Sequence, residues 1–255
     1  MKALSYAYLA LAYAFILLPV AVLVVFSFQD GRLPVPPFQG VTLKWYAQVL
    51  GDRDLIAALG HSALVAAGSS AVALILGFLA AHGLARVRLP GSALMRGVLI
   101  APLTVSYLII ALGLLGLFNQ IGIRPSLTAT AIGHVVINLP LCFAILYAAM
   151  GDHQKSAERA ARDLGANEFQ VLRLVSAPML AAPLAAAFFL SVTFSWDEFI
   201  IAFLLTRFDV TLPVEIWSML KSGLSPKTNA VGSLVFLVSC AMVLAMEMLV
   251  FRRAK

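Results

Sequence analysis

Residues 55–85 read LIAALGHSALVAAGSSAVALILGFLAAHGLA, 31 positions without one Asp, Glu, Lys or Arg. A helix rising 1.5 Å per residue needs ~20 apolar residues to cross the hydrocarbon core of a bilayer. This stretch is long enough. Five more charge-free runs follow the same pattern, at residues 3–29, 97–123, 125–151, 174–196 and 228–246, and the six range from 19 to 31 residues. A transmembrane barrel would show alternating segments of ~10 residues instead. The reading is an all-α polytopic membrane protein with six spans, roughly 6–28, 57–85, 97–118, 127–150, 179–205 and 230–251, forming a single transmembrane domain over 1–255.

Composition agrees. The chain is 62% hydrophobic and only 12% charged, about half of the ~25% expected for a soluble domain. Too few charges remain to clothe a water-facing surface of this length. The first run, roughly Tyr6 to Phe28, exceeds the 7–15-residue apolar core of a signal peptide and ends without a small-x-small cleavage site, so it reads as a retained signal anchor. Cys142 and Cys240 both fall inside expected spans and read as small packing residues rather than redox groups.

Six spans put both termini on one side. With the termini in the cytoplasm, eleven basic residues (Lys2, Arg86, Arg88, Arg96, Lys155, Arg159, Arg162, Arg173, Arg252, Arg253 and Lys255) lie inside and seven outside. The positive-inside rule favours that orientation. It also gives the net charge of +6 a topological origin rather than a nucleic-acid one, since no water-exposed basic domain is present to hold a nucleic acid.

Three connections are long. The outer segment 29–54 opens with Pro34, Pro36 and Pro37 and continues as a short amphipathic helix around Trp45 and Tyr46. The outer segment 206–229 holds Val214–Leu220, too short to span and therefore interfacial or re-entrant. The inner loop 151–178 carries the densest charge. Ala157–Leu164 are mostly helix formers, Gly165 suits a left-handed helix end, and Asn167 can cap a second helix with Phe169, Leu172 and Val175 on one face. Pro178 marks entry to the fifth span. Such a helix–turn–helix is well shaped for a partner's groove. It would equally serve as an amphipathic helix on anionic lipid, with Arg159, Arg162 and Arg173 at head groups.

At these residues the chain resembles the permease subunits of binding-protein-dependent ABC importers, whose loop has the form E-A-A-x-x-x-G followed by I-x-L-P. Ala160, Ala161, Gly165 and Pro178 match, and Val175 stands for the isoleucine across the intervening residues 166–174. Arg159 occupies the acidic position, with Glu158 one residue earlier as a substitute carboxylate, and Ala177 replaces the leucine. The segments Gly40–Tyr46, Ser195–Phe199, Leu212–Met219 and Gly223–Ala230 extend the resemblance to the spermidine/putrescine branch, in particular its second membrane subunit.

The resemblance implies a fold like that of type I ABC importer permeases, in a bacterial inner membrane. It implies that Glu158, Ala160, Ala161, Asp163, Gly165 and Pro178 couple the chain to a cytoplasmic ATPase dimer. Other expected partners are a homologous second permease, a periplasmic substrate-binding protein and membrane lipid. The solute would be a polyamine or a similar small organic molecule. The chain has no Gly-x-x-x-x-Gly-Lys-Ser/Thr phosphate cradle. It is therefore read as a non-enzyme, with ATP and Mg²⁺ bound by the partner.

Asp197 and Glu198 are the most telling polar pair within a span, ~18 residues and hence ~27 Å from its inner start. An acidic group at mid-bilayer costs on the order of 2.5–3.5 kcal/mol on insertion scales, so such residues face a cavity or a partner. Two readings stand side by side. In one, the pair lines the translocation pathway and attracts a cationic solute, with Trp196 and Tyr107 as lone aromatics that either contact that solute or pack. In the other, they pair with Arg207, cap a helix break or hydrogen-bond across a subunit interface. Among other polar positions, Pro102 and Pro140 are candidate kinks, Asn138 is an isolated amide, and Ala181, Ala182, Ala185 and Ala186 suit close helix contact. His61, His82, His134 and His153 have no ligand-like spacing, so no metal site is expected. A self-contained channel or secondary carrier for small organic cations is the alternative, but it leaves the inner loop unexplained. No nucleophile–base motif supports a membrane-embedded enzyme.

Overall fold

The computed structural model describes residues 2–87 and 90–252, with side chains from 5 to 248 in those ranges. Arg88, Arg253 and Lys255, counted above on the inner side, lie outside them, as do the side chains of Lys2 and Arg252. In chain order the helices are α1 (Lys2–Ser27), α2 (Lys44–Gly51), α3 (Arg53–Arg86), α4 (Ser92–Ile100), α5 (Tyr107–Gln120), α6 (Leu127–Ala149), α7 (Asp152–Asp163), α8 (Glu168–Gln170), α9 (Ala177–Met179), α10 (Ala181–Trp196), α11 (Ile200–Leu205), α12 (Leu212–Ser222) and α13 (Pro226–Arg252). A 3₁₀ turn, Ala101–Thr104, follows α4, and a π turn, Val171–Ser176, joins α8 to α9. No strand occurs among the described residues; a single antiparallel bridge joins Gln29 to Val41.

Among the described residues four helices are individually long and apolar enough to cross a membrane, and up to six spans result if each of two bent pairs counts as one. The third expected span, 97–118, is not one rod. Ser92–Thr104 and Tyr107–Gln120 meet at 106°, because Pro102 tightens the chain into the 3₁₀ turn and Val105 and Ser106 then run extended. The fifth, expected over 179–205, is bent by 81° between Met179 and Ala181 and interrupted again at Asp197–Phe199, between α10 and α11.

Contacts divide the chain into two compact units: residues up to Leu59 with Leu212–Cys240, and Gly60–Thr211 with the residues from Ala241 on. The first unit is tied by polar side chains. Buried Gln29 donates to the carbonyls of Val35 and Pro37 and accepts from Gln39, fixing the outer loop against the end of α1. The Tyr46 hydroxyl bridges Ser27 (2.7 Å) and Ser233 (2.8 Å), linking α2 to α1 and α13. Lys227 meets Asp52 at 2.6 Å and holds its carboxyl below the usual range. The apolar face of α1 stays open, with Tyr6, Leu11 and Phe15 all exposed.

Among the described residues the second unit holds two apolar clusters. Ala73, Ala81, Cys142, Phe143, Leu146 and Ala187 join α3, α6 and α10. The approach is so close that a Cβ on Gly77 would sit 2.8 Å from the Cys142 Cβ. Ala111, Phe118, Ala129, Ile137, Ile201 and Leu205 join α5, α6 and α11. There a Cβ on Gly133 would lie 2.5 Å from Ile201.

Candidate functional site

The inner loop is built by local rules. Gly165 adopts φ +88°, its N–H bonds to the Arg162 carbonyl, and the Ala166 N–H bonds to that of Ala161. This is the paired closure that a left-handed residue provides at a helix end. Beyond it Asn167 accepts from the Gln170 N–H at 2.9 Å while Gln170 accepts from the Asn167 N–H at 2.9 Å, a reciprocal capping box. Arg162 closes the turn from outside with two bonds to the Glu168 carboxylate, at 2.7 and 3.0 Å, and holds that carboxyl below its ordinary range.

This geometry presents a crown. Ala160, Asp163, Gly165 and Pro178 are exposed and Ala161 is half-buried. Beside them Leu164 (90% exposed), Phe169 (69%) and Leu174 (67%) stand in the open. Three large apolar side chains on a charged loop form a surface suited to being covered.

Glu158 does the opposite. It is 1% exposed and points inward, accepting from Arg86 Nε at 2.6 Å and Nη2 at 3.3 Å, and from the Ser176 hydroxyl at 2.9 Å. His82 Nε2 lies 3.8 Å away. Burial pushes this carboxyl up, but the hydrogen bonds from Arg86 and Ser176 outweigh it and hold the group below its usual value. The carboxylate thereby ties α7 to the end of α3 and to the π turn. Arg159, at the position the signature gives to an acid, is exposed.

The second cluster lies at the break between α10 and α11. Glu198 (5% exposed) accepts from the N–H groups of Ile200 (2.8 Å), Ile201 (3.0 and 2.9 Å) and Ala202 (3.2 Å). It caps α11, satisfying amides that have no intrahelical partner. Asp197, one residue earlier, closes α10 and is exposed. Trp196 is buried with its indole nitrogen unpaired. Tyr107 is half-buried at the start of α5, packed on the core that contains Ile201. The four residues expected along a pathway thus divide: Glu198 and Trp196 turn inward, Tyr107 packs, and Asp197 stays open. Arg207 lies over the Phe208 ring at 5.1 Å.

Sequence reasoning missed the polar thread behind this break. His134 Nδ1 is 2.6 Å from the Ser195 hydroxyl, which is 3.2 Å from that of Ser69. The other ring nitrogen of His134 stands 3.4 Å from Glu198, and Ser191 donates to Ser70 at 2.9 Å. The available signal was the spacing of Ser191 and Ser195, four residues apart and so on one helix face. Small hydroxyls on such a face are common bonds between membrane helices.

The chain is similar to known proteins. Residues 73–255 match the family described as binding-protein-dependent transport system inner membrane component. The chain is 31% identical over 245 residues to the spermidine/putrescine transport system permease protein PotC of Escherichia coli (strain K12), covering 95% of this chain and 92% of that one. It is 31% identical over 236 residues to the putrescine transport system permease protein PotI of the same strain, covering 89% and 83%. Its fold matches a chain of a bacterial alginate ABC transporter, in complex with alginate pentasaccharide-bound periplasmic protein, with a TM-score of 0.71 at 15% identity, covering 96% and 93%.

Proposed function

This chain belongs to the binding-protein-dependent transport system inner membrane component family, and from that premise we propose that it passes a polyamine inward under the drive of a separate ATPase. The permease role comes with the family; the solute, the coupling residues and the partners are the proposal. Polyamines are supported by the names of PotC and PotI and by the exposed carboxylate of Asp197 at the break in the fifth span. A carboxylate open to a passage attracts a cation. Glu198 is not available for that task, since both its oxygens hold α11.

The observation that carries the coupling is the two-sidedness of the inner loop. Its outer surface offers Leu164 and Phe169 around Gly165 to a cytoplasmic ATPase dimer, which binds ATP and Mg²⁺. Its inner surface is joined through Glu158 to Arg86 and Ser176. A displacement of the crown therefore reaches both α3 and the root of the fifth span. Ala160, Asp163 and Pro178 belong to the contacted side and Ala161 supports the turn. A second, homologous permease completes the passage, a periplasmic binding protein delivers the solute, and both termini face the cytoplasm.

The test is made on the complex purified from membranes. Leu164→Asp/Phe169→Asp should abolish co-purification of the ATPase and spermidine-dependent uptake while the permease still inserts. An ATPase still bound and solute still entering would refute the coupling. Asp197→Asn should lower spermidine uptake with assembly intact, and unchanged uptake would remove Asp197 from the passage.

A further inference from the structure

Between the end of α3 and the inner loop lies a cavity of about 460 Å³. Its charge is lopsided: Arg86, Lys155, Arg159 and Arg162 line it, with Glu168 the one carboxylate in the wall among the described residues. Arg86 is engaged by Glu158 and Arg162 by Glu168. Among the described residues Lys155 and Arg159 close no ion pair. Even with Glu158 counted, two cations are in excess.

His82 also lines the cavity, but its Nε2 is turned to Glu158, 3.8 Å away. The remaining wall is apolar, formed by Leu79, Val87 and Leu172. The cavity thus has a cationic side and a greasy side at the membrane end of α3.

We infer that this cavity binds a phosphate-bearing anion, held by Lys155 and Arg159. Arginine and lysine pair with phosphate through charge-assisted hydrogen bonds. Basic pockets at the edge of membrane helices hold anionic head groups. The phosphate has two sources, an anionic phospholipid whose acyl chain follows Leu79 and Val87, or soluble phosphate. A lipid so placed would join α7, through Lys155 and Arg159, to Leu79 of α3. Nothing in this depends on which solute crosses the membrane.

The full-length chain, purified with its co-purifying subunits, is titrated with phosphatidylglycerol, phosphatidylcholine and, separately, inorganic phosphate, and followed by native mass spectrometry and calorimetry. Phosphatidylglycerol bound in preference to phosphatidylcholine, and weakened about tenfold by Lys155→Gln/Arg159→Gln, supports the site with lipid as its source. Inorganic phosphate weakened by the same pair, with no preference between the lipids, supports the site with a soluble source. Lys155→Arg/Arg159→Lys should retain binding. If neither probe binds, or both bind the Gln pair as tightly as the unaltered chain, the site does not exist. Should the pair fail to insert, each single Gln variant must weaken binding by itself, and equal binding in both overturns the inference.

Discussion

Two glutamates in the second unit are almost equally buried and are satisfied by opposite means. Glu158, in the inner loop, is met by a guanidinium 72 residues away and a hydroxyl 18 residues away. Glu198, at the broken span, is met by backbone N–H groups two to four residues away. A carboxylate answered by a distant cation binds separate elements together. One answered by its own backbone shapes a single turn. The first can transmit movement across the unit; the second fixes a local bend. Residue type and burial alone do not separate the two roles, and the identity of the partner does.

The contrast can be broken most directly at Glu158. Glu158→Ala leaves Arg86, whose side chain is only 10% exposed, without its counter-charge. Removing one partner of a buried pair costs about 3–5 kcal/mol. Thermal unfolding in detergent should show that loss, and Glu158→Ala/Arg86→Leu should recover part of it. Glu198→Ala removes a cap, for which about 1–2 kcal/mol is the scale. Its effect should be local, read as faster amide exchange at Ile200–Ala202 with the loop unchanged. Equal costs at the two sites would erase the distinction. The smallest effect is in pH. Because folding depresses the Glu158 carboxyl, its contribution is complete above the unfolded glutamate value of about 4.3 and is lost as pH falls through the lower folded value. The acid limb of a melting-temperature profile should therefore be shallower in Glu158→Gln; an unchanged limb would show that Arg86 is not holding the charge.

What was legible in the sequence follows the same division. Gly165, Asn167 and four of the six apolar runs act within a few residues of themselves, and their consequences were readable; the runs 97–123 and 174–196 instead fold into bent pairs. The capping of α11 by Glu198 is local too and stood among the readings of that pair. Arg86 as the partner of Glu158, and Ser69 and His134 as partners of Ser195, depend on helices brought together from far along the chain, and no spacing announces them. Proline shows the limit from another side. Pro102 accompanies a 106° bend, whereas Pro140 sits fully buried inside an unbroken α6. The same ring either ends a helix or is tolerated in it, according to what packs around the freed carbonyl.

The π turn at Val171–Ser176 has a mechanical corollary. An i→i+5 turn is an α-helix carrying one surplus residue, wound in just before the 81° elbow at Leu180. Rewinding that surplus into ordinary helix would feed ~1.5 Å of advance and ~100° of swivel toward the elbow without unravelling either side. Ser176 rides on this adjustable splice and bonds to Glu158, so the slack and the clasp that would take it up are adjacent.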